Sequence, residues 1–215
     1  MKQLFVILLL CVLVAGCSGN ESRARAVYML LDTSGTYTEE IGKAQAIINY
    51  ILGTLNSGDS FAVARIDSGS FSEKDIIVRV TFDDRPSTSN EQKRAVQQKI
   101  NEFVKQVGRA SHTDITGGML QAIEYLNETG AGEKHILVFS DLEEDLQKGQ
   151  IRDITIPFRD VHVTALNVTK LRSDNVDPRD YLNRVAHWQA RVEEGGGHWK
   201  VINDLERFNM VLAQN

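Results

Sequence analysis

Cysteine is nearly missing from this chain, and its two copies, Cys11 and Cys17, both sit near the N-terminus. Residues 18–215 therefore offer no thiol for a disulfide, a thiolate metal centre or a cysteine nucleophile. Also missing is any hydrophobic run long enough to cross a bilayer as a helix, which takes about 20 residues. The longest run, Leu4–Val14, falls well short. Positive charge is not in excess: the formal net charge is −5, and it becomes −6 if Met1–Gly16 is removed with its single charge, Lys2. Mild acidity speaks against a nucleic-acid partner, which calls for a basic face. The chain has no internal repeat and no low-complexity block. His112, His135, His162, His187 and His198 are scattered without zinc-like spacing, and they read as structural.

What is present begins with an address. Lys2 is a minimal basic segment, Leu4–Val14 fits the apolar core of a signal peptide, and the small pair Ala15-Gly16 precedes Cys17. Val14-Ala15-Gly16-Cys17 resembles the bacterial lipobox, in which the cysteine is diacylated and becomes the new N-terminus. Val14 stands where Leu is usual. The resemblance implies a lipoprotein signal peptide over residues 1–16 and a lipidated tether over residues 17–25. It places the protein in the bacterial cell envelope, held to the membrane through Cys17. Ser18, not Asp, follows that cysteine, which is the pattern for outer-membrane sorting in a diderm. An ordinary secretory signal cleaved nearby is the competing reading. The remaining residues, 26–215, suffice for one domain with a sizeable core.

Strand and helix patterns then alternate. Val27–Leu31 is a continuous apolar run, the signature of a strand buried on both faces. Ile41, Ala44, Ile47, Ile48, Ile51, Leu52 and Leu55 mark one face of a helix that Asn56–Ser60 ends. Phe61–Asp67 reads as a second strand. Ile76–Phe82 alternates Ile76, Val78, Val80 and Phe82, as in a half-exposed antiparallel edge strand. Ser87–Asn90 is expected to cap a helix carrying Val96, Ile100, Phe103, Val104 and Val107. Met119, Ile123 and Leu126 mark a third helix, Ile136–Phe139 and Val161–Val168 two strands, and Tyr181–Val192 a helix stopped by Gly195-Gly196-Gly197. His198–Ile202 is a last strand, and Leu205–Leu212 a closing helix with Asp204 as its cap. Such alternation predicts a mostly parallel sheet covered by helices on both faces.

The candidate site opens at the end of the first strand. Asp32, Ser34 and Thr36 present a carboxylate and two hydroxyls between a buried strand and a helix, where open α/β sheets bind ligands. A hard cation such as Mg²⁺ takes such oxygens. The same Asp-Thr-Ser-Gly run also suits a plain turn with a helix cap. Later stretches complete a pattern: Gly58-Asp59-Ser60-Phe61 before the second strand, Thr113-Asp114-Ile115-Thr116-Gly117-Gly118 opening a helix, Ser140-Asp141 closing a buried strand, and Gly196-Gly197-His198-Trp199 before Asp204-Leu205.

In this order, over nearly all of residues 26–215, the chain resembles the von Willebrand factor type A domain, also called the integrin I domain. The resemblance implies a Rossmann-like, mostly parallel central sheet with one antiparallel edge strand. It further implies a metal-ion-dependent adhesion site for Mg²⁺ or Mn²⁺. Asp32, Ser34 and Thr36 match the first motif, with Thr36 where Ser is commoner. Thr113 matches the family threonine, with Thr116 as the alternative, and Asp141 matches the second aspartate. A protein partner offering a carboxylate would complete the shell.

Neighbouring residues weigh less. Glu143-Glu144-Asp145 either enlarges the acidic site or is a solvated turn, Tyr37 is placed to face a ligand, and Trp188 and Trp199 read as core or edge packing. The expected function is a binding module, not an enzyme. Two alternatives stay open. One is a type A-like scaffold that works by packing without metal. The other is a haloacid-dehalogenase-like phosphatase, whose Asp-x-Asp-Gly-Thr loop is similar to Asp32–Thr36; here Ser34 occupies the position of its acid/base carboxylate.

Overall fold

The structure is a computed structural model and describes residues 23–35, 37–169, 171, 174 and 177–204. The signal segment, Cys17, Thr36 and the expected closing helix Leu205–Leu212 lie outside the described residues.

The order of elements is β1 (Arg25–Asp32), α1 (Tyr37–Thr54), β2 (Ser60–Ile66), a 3₁₀ turn (Glu73–Asp75), β3 (Ile76–Thr81), α2 (Pro86–Gln106), α3 (Ile115–Glu128), β4 (Glu133–Phe139), β5 (His162–Leu166), α4 (Pro178–Glu194) and β6 (His198–Ile202). They form one six-stranded sheet in the order β3-β2-β1-β4-β5-β6. Every pairing is parallel except β2 with β3, which is antiparallel at the edge. Among the described residues no helix is long and apolar enough to cross a membrane.

The apolar run of β1 has a direct physical reason. Strand side chains alternate between faces, and both faces of β1 are covered. Ala26, Tyr28 and Leu30 enter one core with Ile115, Met119 and Leu126 of α3 and with Trp188 and Val192 of α4. Val27, Met29 and Leu31 enter the other, with Ile41, Ala44, Ile48 and Ile51 of α1 and Val96 and Ile100 of α2. At the edge strand β3 only Val78 is buried, and Arg79 and Thr81 are exposed, so that strand alternates.

One expected boundary moves. Ser87–Asn90 does not cap α2; the helix starts at Pro86, and the capping position, Arg85, makes no side-chain cap bond. Proline lacks an N–H, which is no loss in a first helical turn, and its φ is already helical. At α4 the cap is Asp177, whose carboxylate accepts the Arg179 amide at 3.0 Å, so this helix also begins just after its cap with a proline. Gly195 ends it where a Cβ would lie 2.1 Å from the Ile156 carbonyl oxygen.

The first turn of α3 is equally tight. A Cβ on Gly117 would lie 2.5 Å from the carboxylate of buried Asp114, and that carboxylate is held in place by the amides of Gly117 and Ser70 and by Arg152. Gly53, in the last turn of α1, has nothing within 4 Å of the same position. We therefore expect Gly117→Ala to lower unfolding stability by about 1–3 kcal/mol through overpacking. Gly53→Ala should instead raise it by about 0.5–1 kcal/mol through helix propensity. Urea melts of both variants check the opposite signs.

Candidate metal centre

The sheet places the site before any side chain is considered. Strands β1 and β4 are neighbours, yet the chain leaves β1 toward β2 on the other side. Their carboxyl ends therefore diverge into a crevice, the topological switch point of an open α/β sheet. Asp32 is the last residue of β1. Asp141 lies just beyond the end of β4. They are 0% and 5% exposed.

Each carboxylate is held by its own turn. Asp32 Oδ1 accepts the Ser34 amide at 2.8 Å, and Oδ2 accepts the Ser140 hydroxyl at 2.7 Å. Asp141 Oδ1 accepts the Glu143 amide at 2.9 Å. Ser140 Oγ also accepts the Leu142 amide at 3.0 Å, so one hydroxyl links the two aspartate turns. Leu142 carries φ 66°, in the left-handed region that costs a non-glycine residue about 1 kcal/mol or more. Its side chain is buried in the core, and its carbonyl accepts Trp188 Nε1 at 3.1 Å. Trp188 is thus core packing that also clamps the site's turn.

Loop 107–114 closes the third side. The Ala110 amide donates to the Thr33 carbonyl at 2.9 Å, and Ser34 and Ala110 form a bridge. Thr113 and Asp145 exchange backbone hydrogen bonds of 2.8 and 3.0 Å. Asp32, Ser34, Thr113 and Asp141 thus come from three loops that are bonded to one another at one end of the sheet. Thr116 is engaged elsewhere: its amide donates to Glu144 Oε1 at 2.7 Å, and its hydroxyl accepts Arg191 Nη1 at 2.7 Å.

The electrostatics follow from burial. Loss of water raises the Asp32 carboxyl above its ordinary range, partly offset by the hydrogen bonds from Ser34 and Ser140. Burial, reinforced by the charge of Asp32, pushes Asp141 up to about 6. Arg184 works the other way. Its Nε donates to the Asp141 carbonyl at 3.3 Å, while its two Nη groups grip buried Asp174, each at 2.8 Å.

Two expectations are refined here. Tyr37 does not face a ligand: it is buried, packs edge-on against Phe139 and donates its hydroxyl to the Asn167 carbonyl. The stretch Glu143-Glu144-Asp145 is neither a bare turn nor a third arm of the acid pair. Glu144 holds the Thr116 amide, Glu143 approaches Arg184 at 3.4 Å, and Asp145 meets His112 at 3.1 Å. The bonding role of Ser140 and the presence of Arg184 escaped notice in the sequence, where one serine or arginine looks like any other.

Among the described residues no group of three or more His, Cys, Asp or Glu gathers as a ready-made metal cluster. The donor set here is two carboxylates with hydroxyl oxygens. Such all-oxygen sets fit hard cations such as Mg²⁺, which keep several waters. The excess of buried negative charge is what a cation would relieve.

No protein-family profile and no curated protein sequence matches the chain. Solved structures match in fold. The pilus adhesin SpaC of Lactobacillus rhamnosus GG, in its open conformation, aligns with a TM-score of 0.56 at 12% identity over 90% of this chain and 29% of its own. An aerotolerance-related membrane protein of Bacteroides fragilis aligns at 0.52 and 13% identity, over 89% of this chain and 97% of its own. A von Willebrand factor type A protein of Catenulispora acidiphila aligns at 0.50 and 14% identity, over 88% of this chain and 41% of its own. The chain thus spans less than half of the adhesin and of the Catenulispora protein. The fold is von Willebrand factor type A-like.

The raised Asp141 carboxyl gives a signed expectation. Because its folded value lies above that of the unfolded chain, stability falls as pH rises from about 4 to about 6 and stays lowered above that. Asp141→Asn keeps the acceptor for Glu143 and removes the charge. In EDTA at pH 7.5 this variant should be more stable than wild type by about 1–3 kcal/mol, with the gain gone below about pH 4. Thermal melts across that pH range check it.

Proposed function

We propose that this type A-like domain binds Mg²⁺ or Mn²⁺ through Asp32, Ser34, Thr36, Thr113 and Asp141, and uses the ion to grip a carboxylate on a protein partner. The observation that carries this reading is the buried Asp32–Asp141 pair, set at the β1/β4 switch point and coupled by charge. A bound divalent ion would supply Lewis acidity toward an incoming carboxylate. The chain's own part is to hold Asp32 by Ser34 and Ser140, to hold Asp141 by Glu143, and to offer neutral hydroxyls that leave charge for the partner to satisfy. The fold shared with a protein named as a pilus adhesin supports a role in protein–protein contact.

We place the domain in the bacterial cell envelope, anchored by lipid on Cys17, on the outer membrane if the host is a diderm. The lipobox-like Val14–Cys17 supports this, as does likeness in fold to a protein named as a membrane protein. The role is binding, not catalysis: Ser34 stands two residues after Asp32, where the phosphatase reading needs a carboxylate, and its amide bonds the Asp32 carboxylate. A second reading, a scaffold that works without metal, is favoured by Arg184, which already offsets part of the Asp141 charge.

One set of experiments separates the readings. Mg²⁺ at about a hundredfold excess over its dissociation constant should stabilise the protein by about 2.7 kcal/mol. Asp32→Ala should abolish that gain, and Thr113→Ala should weaken it more than Thr116→Ala. A partner crosslinked in intact cells should be captured with Mg²⁺ and lost in EDTA. Capture that persists in EDTA, with no effect of metal on melting, favours the scaffold. Phosphate release that depends on Asp32 would favour the phosphatase. Separately, mass spectrometry should find acyl chains on an N-terminal Cys17, and Cys17→Ser should leave an unprocessed precursor; an unmodified N-terminus beyond Cys17 removes the anchor.

A further inference from the structure

Three of the five histidines that look scattered in the sequence meet in the fold. In the parallel register of β4, β5 and β6, His135 pairs with His162 and His162 with His198. Their rings stack, with centroids 5.3 and 4.8 Å apart and planes inclined by 27° and 25°. Behind the row, Glu133 reaches His135 Nε2 at 2.6 Å. The row opens outward: His135 is buried, His162 is half-buried and His198 is exposed. It begins β5 and β6, so it lies at the end of the sheet opposite Asp32 and Asp141.

Two of the stacked rings resist protonation. Burial first, and then the neighbouring ring, lower the proton affinity of both His135 and His162. Glu133 acts in the opposite sense on both rings, Asp160 does so on His162, and Arg25 adds to the depression at His135. The net effect favours the neutral imidazole at His135 and His162. Neutral imidazole is the commonest protein ligand for zinc and copper, and a weak partner for Mg²⁺.

The distances decide how many rings one ion can use. Zinc–nitrogen bonds of about 2.0–2.1 Å in a tetrahedral arrangement put two ligand nitrogens about 3.3 Å apart. An imidazole lone pair lies in its ring plane, so the stacked His162 and His198 rings, with centroids 4.8 Å apart and planes inclined by 25°, must rotate out of their stack to aim both nitrogens at one ion. Both can do so by side-chain rotation, since neither is fully enclosed. His135 lies one rung further back and is tied to Glu133.

We propose that the outer rungs of this ladder, His162 and His198, bind one transition-metal ion of the zinc or copper class, with water filling its remaining positions. The inner rung, His135 held by Glu133, is the ring against which His162 rests before the ion binds. The site is chemically and spatially separate from the oxygen site at the other end of the sheet.

A zinc titration of the full chain in detergent tests this, with Mg²⁺ present throughout to occupy the oxygen site. Calorimetry should show one more zinc ion bound by wild type than by the double variant His162→Ala/His198→Ala. His198→Ala alone, at an exposed position, should weaken that ion at least about tenfold. Asp32→Ala should leave it unchanged, and acidification should release it, because imidazole ligates a metal only when deprotonated. Melting curves without zinc establish that the variants fold. Equal zinc binding by wild type and the double variant, no zinc binding by either, or loss of the ion in Asp32→Ala would each overturn the proposal.

Discussion

Two carboxylates buried side by side at the ends of neighbouring strands repel each other, and much of the surrounding structure manages that repulsion. Asp32 and Asp141 owe their closeness to the sheet order, which sets β4 beside β1 while the chain runs on from β1 to β2. Removing them from water raises the proton affinity of both. A group that should be charged at neutral pH is thereby held where charge is costly. Such a site stays ionised cheaply only if a positive charge enters it.

The fold spends local stability on keeping the pair in place. Ser140 donates to Asp32 and accepts from Leu142, so a change in one turn is felt by the other. Leu142 tolerates a left-handed backbone because its side chain is buried and Trp188 binds its carbonyl. At the start of α3, buried Asp114 gathers the amides of Ser70 and Gly117 together with Arg152, joining three separate stretches on one carboxylate. Asp114 has a direct partner in Arg152 at 2.6 Å, whereas Asp141 meets Arg184 through its backbone carbonyl. The first carboxylate carries its own cationic partner.

How much of this was legible in the sequence depends on the range of the interaction. Burial of β1 on both faces writes itself as an unbroken apolar run, and the half-exposed β3 writes itself as alternation, so the strands and the edge were readable. Pro86 overrode the expected serine cap because a proline in the first turn needs no side-chain partner. Tyr37 was misread as a ligand-facing group, although it stands four residues before Ile41 and seven before Ala44, on the same buried helical face. What sets Thr116 apart from Thr113 is Arg191, far along the chain, which takes the Thr116 hydroxyl. The histidine ladder was invisible for the same reason: strand register, not spacing along the chain, stacks His135, His162 and His198.

Where a cation sits is the central question, and Mn²⁺ answers it directly, because its unpaired electrons broaden the NMR signals of nearby amides. The account predicts that substoichiometric Mn²⁺ added to the ¹⁵N-labelled protein first erases the amide signals of Ser34, Thr113 and Leu142. Those of His162 and His198, at the opposite end of the sheet, should persist. Broadening centred anywhere other than the ends of β1 and β4, or none at all, would contradict it.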